Sequence, residues 1–107
     1  MLRLSLVLML LFASPVQAGF DTGNTLYAEC TKENPVAAGY CMGYVGGVAD
    51  VMSDGTPISG WKACVPKNVT IAQIKDIVTR WLANTPQDRH YSADSLVAAA
   101  LEKAFPC

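Results

Sequence analysis

Four cysteines, Cys30, Cys41, Cys64 and Cys107, carry most of the chemical potential of this 107-residue sequence. A cysteine serves as a thiolate nucleophile, a metal ligand or half of a disulfide. Zinc sites are marked by close Cys-x-x-Cys pairs, and none occurs here. A Cys–His nucleophilic pair needs a free thiolate, and His90 is the only histidine. Ser92 follows His90 closely, but its position is that of a helix cap. Asp50 and Asp54 lie one helical turn apart. Two carboxylates at that spacing can work as acid and base, yet no motif surrounds them, and they read as a solvated face or as partners of loop amides. Asn68-Val69-Thr70 matches a glycosylation sequon, a short pattern that is common by chance, and Thr70 has another use as a cap. The sequence therefore offers no catalytic residue, no metal-ligand set and no cofactor motif, and it reads as a protein that is not an enzyme.

What the cysteines do depends on where the chain goes. Residues 1–18 read as a secretory signal peptide. Arg3 and the amino terminus supply the positive start. Residues 4–13 form an apolar run of about ten residues, the length of a signal core. Val16 and Ala18 put short side chains at the −3 and −1 positions of a cleavage site. Spanning a bilayer takes about 20 apolar residues, and Pro15 and Gln17 end the run too early for an anchor. The style of the leader is bacterial, which points to the periplasm with no membrane attachment after cleavage. An even cysteine count in a short exported chain implies disulfides.

The formal net charge of −1 leaves no basic excess to neutralise phosphates, so nucleic acid is a poor partner. Charged residues make up 16% of the chain, against roughly 25% in a typical soluble domain, and the leader accounts for part of that deficit. Residues 19–107 fit a single domain. A chain this short is only marginally stable on core packing alone, which gives the disulfides a structural task.

The elements that position these residues read as all-α: a small bundle of four main helices in two antiparallel hairpins. A first helix over residues 22–32 is capped by Thr22, with Leu26, Tyr27 and Cys30 on its apolar side. Asn34-Pro35 supplies an N-cap followed by proline at the first helical position, opening a second helix that runs to Ser53. Cys41, Tyr44, Val45, Val48, Val51 and Met52 recur there at helical spacing. Gly39, Gly43, Gly46 and Gly47 interrupt the same helix, each at about 1 kcal/mol relative to Ala. Their spacing suggests a surface that another helix backbone approaches closely. After a loop containing Gly55, Pro57, Gly60 and Trp61, Thr70 and Gln73 form a capping box, with Val69 and Ile74 placed as a hydrophobic staple. The third helix buries Ile71, Ile74, Ile77, Val78, Trp81 and Leu82 and stops at Asn84-Thr85-Pro86. The fourth starts at Ser92, with Tyr91 and Leu96 in staple positions and Asp94 near the positive end of the helix dipole.

Four cysteines allow three connectivities. Hairpin geometry favours Cys30–Cys41, which flank the first turn about equally, together with Cys64–Cys107, where the start of the third helix meets the end of the fourth. The second bridge closes a loop of about 43 residues, worth roughly 4 kcal/mol in the chain-entropy account. Binding residues are sought in the loops. Trp61 and Lys62 stand in the loop over residues 54–62. Asp88, Arg89 and His90 stand in the turn over residues 85–91. Arg89 and His90 either contact a partner or bond the end of the third helix, and the sequence favours neither. A tryptophan in such a loop is more often a lid over the core than a binding anchor.

At this point the residues resemble the Rap and Tai immunity proteins of type VI secretion. The resemblance rests on residues 22–30 (TGNTLYAEC), residues 41–50 (CMGYVGGVAD), Cys64-Val65-Pro66, residues 69–81 with the pair Trp81-Leu82, residues 86–90 (PQDRH) and residues 99–107 (AALEKAFPC). It includes all four cysteines. That family consists of small, mostly helical periplasmic proteins, some of them dimers. Its characterised members bind and block cell-wall amidase toxins injected by neighbouring bacteria. The resemblance implies a protein partner, a peptidoglycan amidase effector, and inhibition by occlusion with a helix end and a protruding loop. It also allows a homodimer. It transfers no interface, because the matching residues look fold-defining. The alternative reading is a general periplasmic stress protein or chaperone of similar build. With one histidine, such a protein has little charge to change between pH 5 and 7.

Overall fold

The computed structural model describes residues 20–107; the signal-peptide reading of residues 1–18 lies outside them. Four helices follow one another: α1 (Gly23–Thr31), α2 (Pro35–Ser53), α3 (Ile71–Asn84) and α4 (Ala93–Ala104). A short 3-10 turn over Pro86–Asp88 joins α3 to α4, and no strand forms among the described residues.

Local chemistry explains the starts of the first three helices. The Thr22 hydroxyl accepts from the Thr25 N–H, and Thr25 returns the bond to the Thr22 N–H. Asn34 accepts from the Ala37 N–H at 2.8 Å ahead of Pro35. Thr70 and Gln73 close the reciprocal box expected of them. These bonds satisfy backbone donors that a helix start leaves unpaired. The fourth start differs. Ser92 occupies the N-cap position but makes no capping bond; its hydroxyl pairs with that of Ser95 instead. The Ala93 N–H finds a partner across the bundle, the Asp21 carbonyl at 2.9 Å.

That long-range bond belongs to a seam. The Gly23 N–H donates to the Tyr91 carbonyl at 2.9 Å and the Asn24 N–H to the Arg89 carbonyl at 2.8 Å. The start of α1 is thus stitched to the turn before α4. Gly23 is buried in this seam, where a Cβ would collide with Leu96 Cδ1 and come within 2.9 Å of the Arg89 backbone. Nearby, the Tyr40 hydroxyl donates to the Asp21 carboxylate. That bond, ahead of burial, holds the Tyr40 phenol above its ordinary pKa. Burial pushes Tyr44 up to about 12, with the Asp94 and Asp21 charges adding to the effect.

The core lies between the hairpins. Leu26, Val45, Met52, Val78, Leu82, Val97 and Leu101 are fully buried, and each contributes about 1.5–3 kcal/mol by leaving water. On α3, Ile74, Val78 and Leu82 repeat every four residues and face inward. Ile71 and Val51 do not; both remain 45% exposed at the ends of their helices. The α2 glycines also depart from expectation. A Cβ at Gly39, Gly43 or Gly47 would meet nothing within 4 Å, and only Gly46 is closely approached, by the Ile71 side chain. Among the described residues, no helix packs closely on Gly39, Gly43 or Gly47, while Cys41, Val45, Val48 and Met52 of α2 are buried in the core.

Two disulfides brace the bundle, Cys30–Cys41 and Cys64–Cys107. The first sits in the core, whereas the second lies at the surface. It ties the loop after α2 to the chain end beyond α4.

Candidate functional site

The loop after α2 contains a tight turn that the sequence reading did not resolve. Ile58 and Trp61 exchange backbone hydrogen bonds at 3.0 and 2.8 Å. Between them Ser59 and Gly60 both have positive φ, 50° and 82°, the sign pattern of a type I′ turn. Glycine takes such a φ without penalty, but serine does so at a cost. The Ser-Gly pair was the available signal for this turn. Beyond it, the Lys62 N–H donates to Glu102 Oε2 on α4 at 2.8 Å. The Cys64 N–H donates to the Phe105 carbonyl at 2.9 Å, and the Cys64–Cys107 bridge follows. Ala63 is buried in the core, and Ile58 and Val65 pack against that core. Trp61 is held from both sides yet keeps 41% of its surface exposed. It is a fixed, projecting ring, not a lid.

This ring stands beside the α3–α4 connection. Trp61, Trp81, Asp88, Tyr91, Ser95, Leu96 and Ala99 together line a cavity of about 350 Å³. The loop contributes Trp61, α3 contributes Trp81, the 3-10 turn and its exit contribute Asp88 and Tyr91, and α4 supplies the remaining wall. Tyr91 and Leu96, expected as a staple, both serve as walls here. Tyr91 is 54% exposed, and the His90 ring lies against it with centroids 4.2 Å apart. Two loops nominated separately from the sequence therefore meet at one place. Among the described residues, the Asp88 carboxylate has no hydrogen-bond or ion-pair partner; the one ion pair found joins Lys32 to Glu29.

Arg89 turns the other way. Its guanidinium carbon sits 4.4 Å from the centre of the Tyr27 ring on α1. Its Nε is buried with no hydrogen-bond partner among the described residues. In this position it fastens the turn to α1, and the cavity is formed without it. Lys62 is exposed and flanks Trp61 without lining the cavity. Asp50 and Asp54 stay exposed near the end of α2.

A wider depression, about 690 Å³, lies between α2 and the chain entering α3. Gly43, Gly46, Gly47 and Asp50 form one wall and Pro66, Lys67 and Ile71 the other. It is larger, but it presents no aromatic ring. Aromatic side chains dominate the binding energy at protein interfaces, so the smaller cavity is the better-equipped site.

The smaller cavity is lined by aromatic residues and Asp88, and the larger depression by Asp50, Ser53 and Lys67 among others. The comparison with known families then decides the class. The profile of the Rap1a immunity proteins matches residues 22–107. The chain belongs to the Rap1a immunity protein family. The match spans all four helices and all four disulfide cysteines. No curated protein sequence gives a significant match. Membership in the Rap1a family makes this an immunity protein, one whose role is met by engaging a partner protein.

Proposed function

We propose that this Rap1a-family protein works in the periplasm, where it binds and occludes a peptidoglycan amidase effector of type VI secretion without any catalysis of its own. The leader-like residues 1–18 support export, and two disulfides suit an oxidising compartment. The observation that carries the binding reading is the convergence of Trp61 with Asp88 and Tyr91 around one cavity on a braced scaffold. Ordering loops at an interface is a cost of association. The Ile58–Trp61 turn, the Glu102 contact and the Cys64–Cys107 bridge meet that cost during folding, before the partner arrives. Trp61 and Tyr91 are the anchors of the proposed contact, with Lys62 and His90 at its rim.

The test mixes purified oxidised protein with secreted amidases from its own genome and from close competitors. Peptidoglycan hydrolysis should fall in proportion to added protein and stop at one equivalent. Trp61→Ala should weaken inhibition at least tenfold, and since the ring is substantially exposed it should lower stability by only about 1 kcal/mol, well short of the roughly 3–5 kcal/mol expected of a buried tryptophan. A folded, oxidised protein that leaves every such amidase fully active contradicts the proposal.

A further inference from the structure

The cavity walls say what kind of group enters. Three aromatic residues, Trp61, Trp81 and Tyr91, share the cavity lining with Asp88, whose carboxylate has no hydrogen-bond or ion-pair partner among the described residues. At about 350 Å³ it lies at the small end of the roughly 300–1,000 Å³ typical of ligand pockets, a size for one side chain. An apolar side chain would satisfy the rings but leave a carboxylate buried and unpaired when the partner closed over it, which is costly. A carboxylate would be repelled. A cation satisfies both features, by charge pairing with Asp88 and by attraction to the aromatic walls.

Among the described residues, no cationic side chain lines the cavity. Arg89, the adjacent cation, is committed to Tyr27 on the far side of the turn. His90 lies against the ring of Tyr91 and does not line the cavity. The neighbouring loop cation, Lys62, also stands outside the lining.

We infer that the Trp61–Trp81–Tyr91 pocket receives a lysine or arginine side chain of the partner, with Asp88 as its counter-charge. The inference rests on the reading that the partner is a protein effector, and it gives that effector a basic anchor residue. Asp88 then acts in specificity: an effector without a basic residue at the contact leaves the carboxylate desolvated and is rejected.

The chain's two tryptophans both line this pocket, so their indole N–H resonances report on it directly. The probes are Nα-acetyl-arginine methylamide and its uncharged isostere, Nα-acetyl-citrulline methylamide, added to the full oxidised protein. The arginine derivative should shift both indole signals saturably, with the citrulline derivative at least tenfold weaker. Asp88→Asn should weaken the arginine response at least tenfold while leaving the melting temperature nearly unchanged. Equal responses to the two probes, an undiminished response in Asp88→Asn, or no saturable response at all would overturn the inference.

The amidase assay separates this outcome from the broader reading. Inhibition that survives Asp88→Asn, with no cation binding, removes the basic anchor and keeps the immunity partner. Arginine binding without inhibition of any amidase keeps the pocket and removes the amidase.

Discussion

The two disulfide-bearing halves of this bundle are built alike and used differently. In the α1–α2 half, Cys30 and Cys41 are buried and separated by 11 residues. In the half that follows, Cys64 and Cys107 are exposed and separated by 43. Chain entropy makes the second bridge worth about 4 kcal/mol against about 3 kcal/mol for the first. The larger constraint is therefore at the surface, next to the loop that presents Trp61, while the smaller one is sealed in the core. Every residue lining the aromatic cavity also belongs to the second half. One half supplies a packed platform; the other holds an exposed recognition surface rigid. The difference teaches that a disulfide here stabilises the fold and, in one place, also pre-shapes a binding loop.

Removing the bridges one at a time tests that division most strongly. Replacing Cys64 and Cys107 together with Ala should lower unfolding free energy by about 4 kcal/mol and broaden the Trp61 indole resonance. Replacing Cys30 and Cys41 should cost about 3 kcal/mol and leave that resonance sharp. Denaturant titration and NMR read the two effects. Under mild reductant, mass mapping should find Cys64–Cys107 opened first. Equal loosening of Trp61 in both variants would erase the distinction between the halves.

The seam between the halves gives the next effect. Gly23→Ala forces a methyl against Leu96 and the Arg89 backbone and should cost about 1–3 kcal/mol by overpacking. Gly43→Ala on the open face of α2 should instead raise stability by about 1 kcal/mol, through helix propensity. Thermal melts of the two variants should move in opposite directions.

The smallest effect separates two neighbours in the α3–α4 turn. Arg89→Ala should lower stability by about 1–2 kcal/mol through loss of its contact with Tyr27, and affect binding only through that loss. His90→Ala should leave the melting temperature unchanged and trim affinity at the rim. If Arg89→Ala weakens inhibition without changing stability, Arg89 contacts the partner directly.

Much of this architecture was legible in local sequence. Asn34-Pro35, the Thr70–Gln73 box and the Asn84-Thr85-Pro86 stop act within one helical turn, and the structure carries all three where the sequence puts them. The disulfide pairing followed from counting residues around two turns. The less legible features all depend on residues far apart in the chain. Ser92 holds the N-cap position without a capping bond, and the start of α4 is tied instead by the Ala93 N–H donating to the Asp21 carbonyl across the bundle. The α2 glycines looked like a packing surface, but the spacing of small residues says nothing about whether a neighbour exists. Trp61 and Asp88 were singled out separately as loop residues, and no sequence signal shows that a single cavity joins them. Arg89 could be assigned to Tyr27 only once α1 had been placed beside the turn.

The central claim is that the second half, through Trp61 and the α3–α4 turn, is the face that meets the effector. Hydrogen–deuterium exchange of the oxidised protein, alone and in one-to-one complex with the amidase it inhibits, tests this most directly. The account predicts new protection at residues 58–62 and 86–92, with exchange along the open face of α2 unchanged. Protection concentrated around Gly43 and Gly47, with none at residues 58–62 or 86–92, would contradict it.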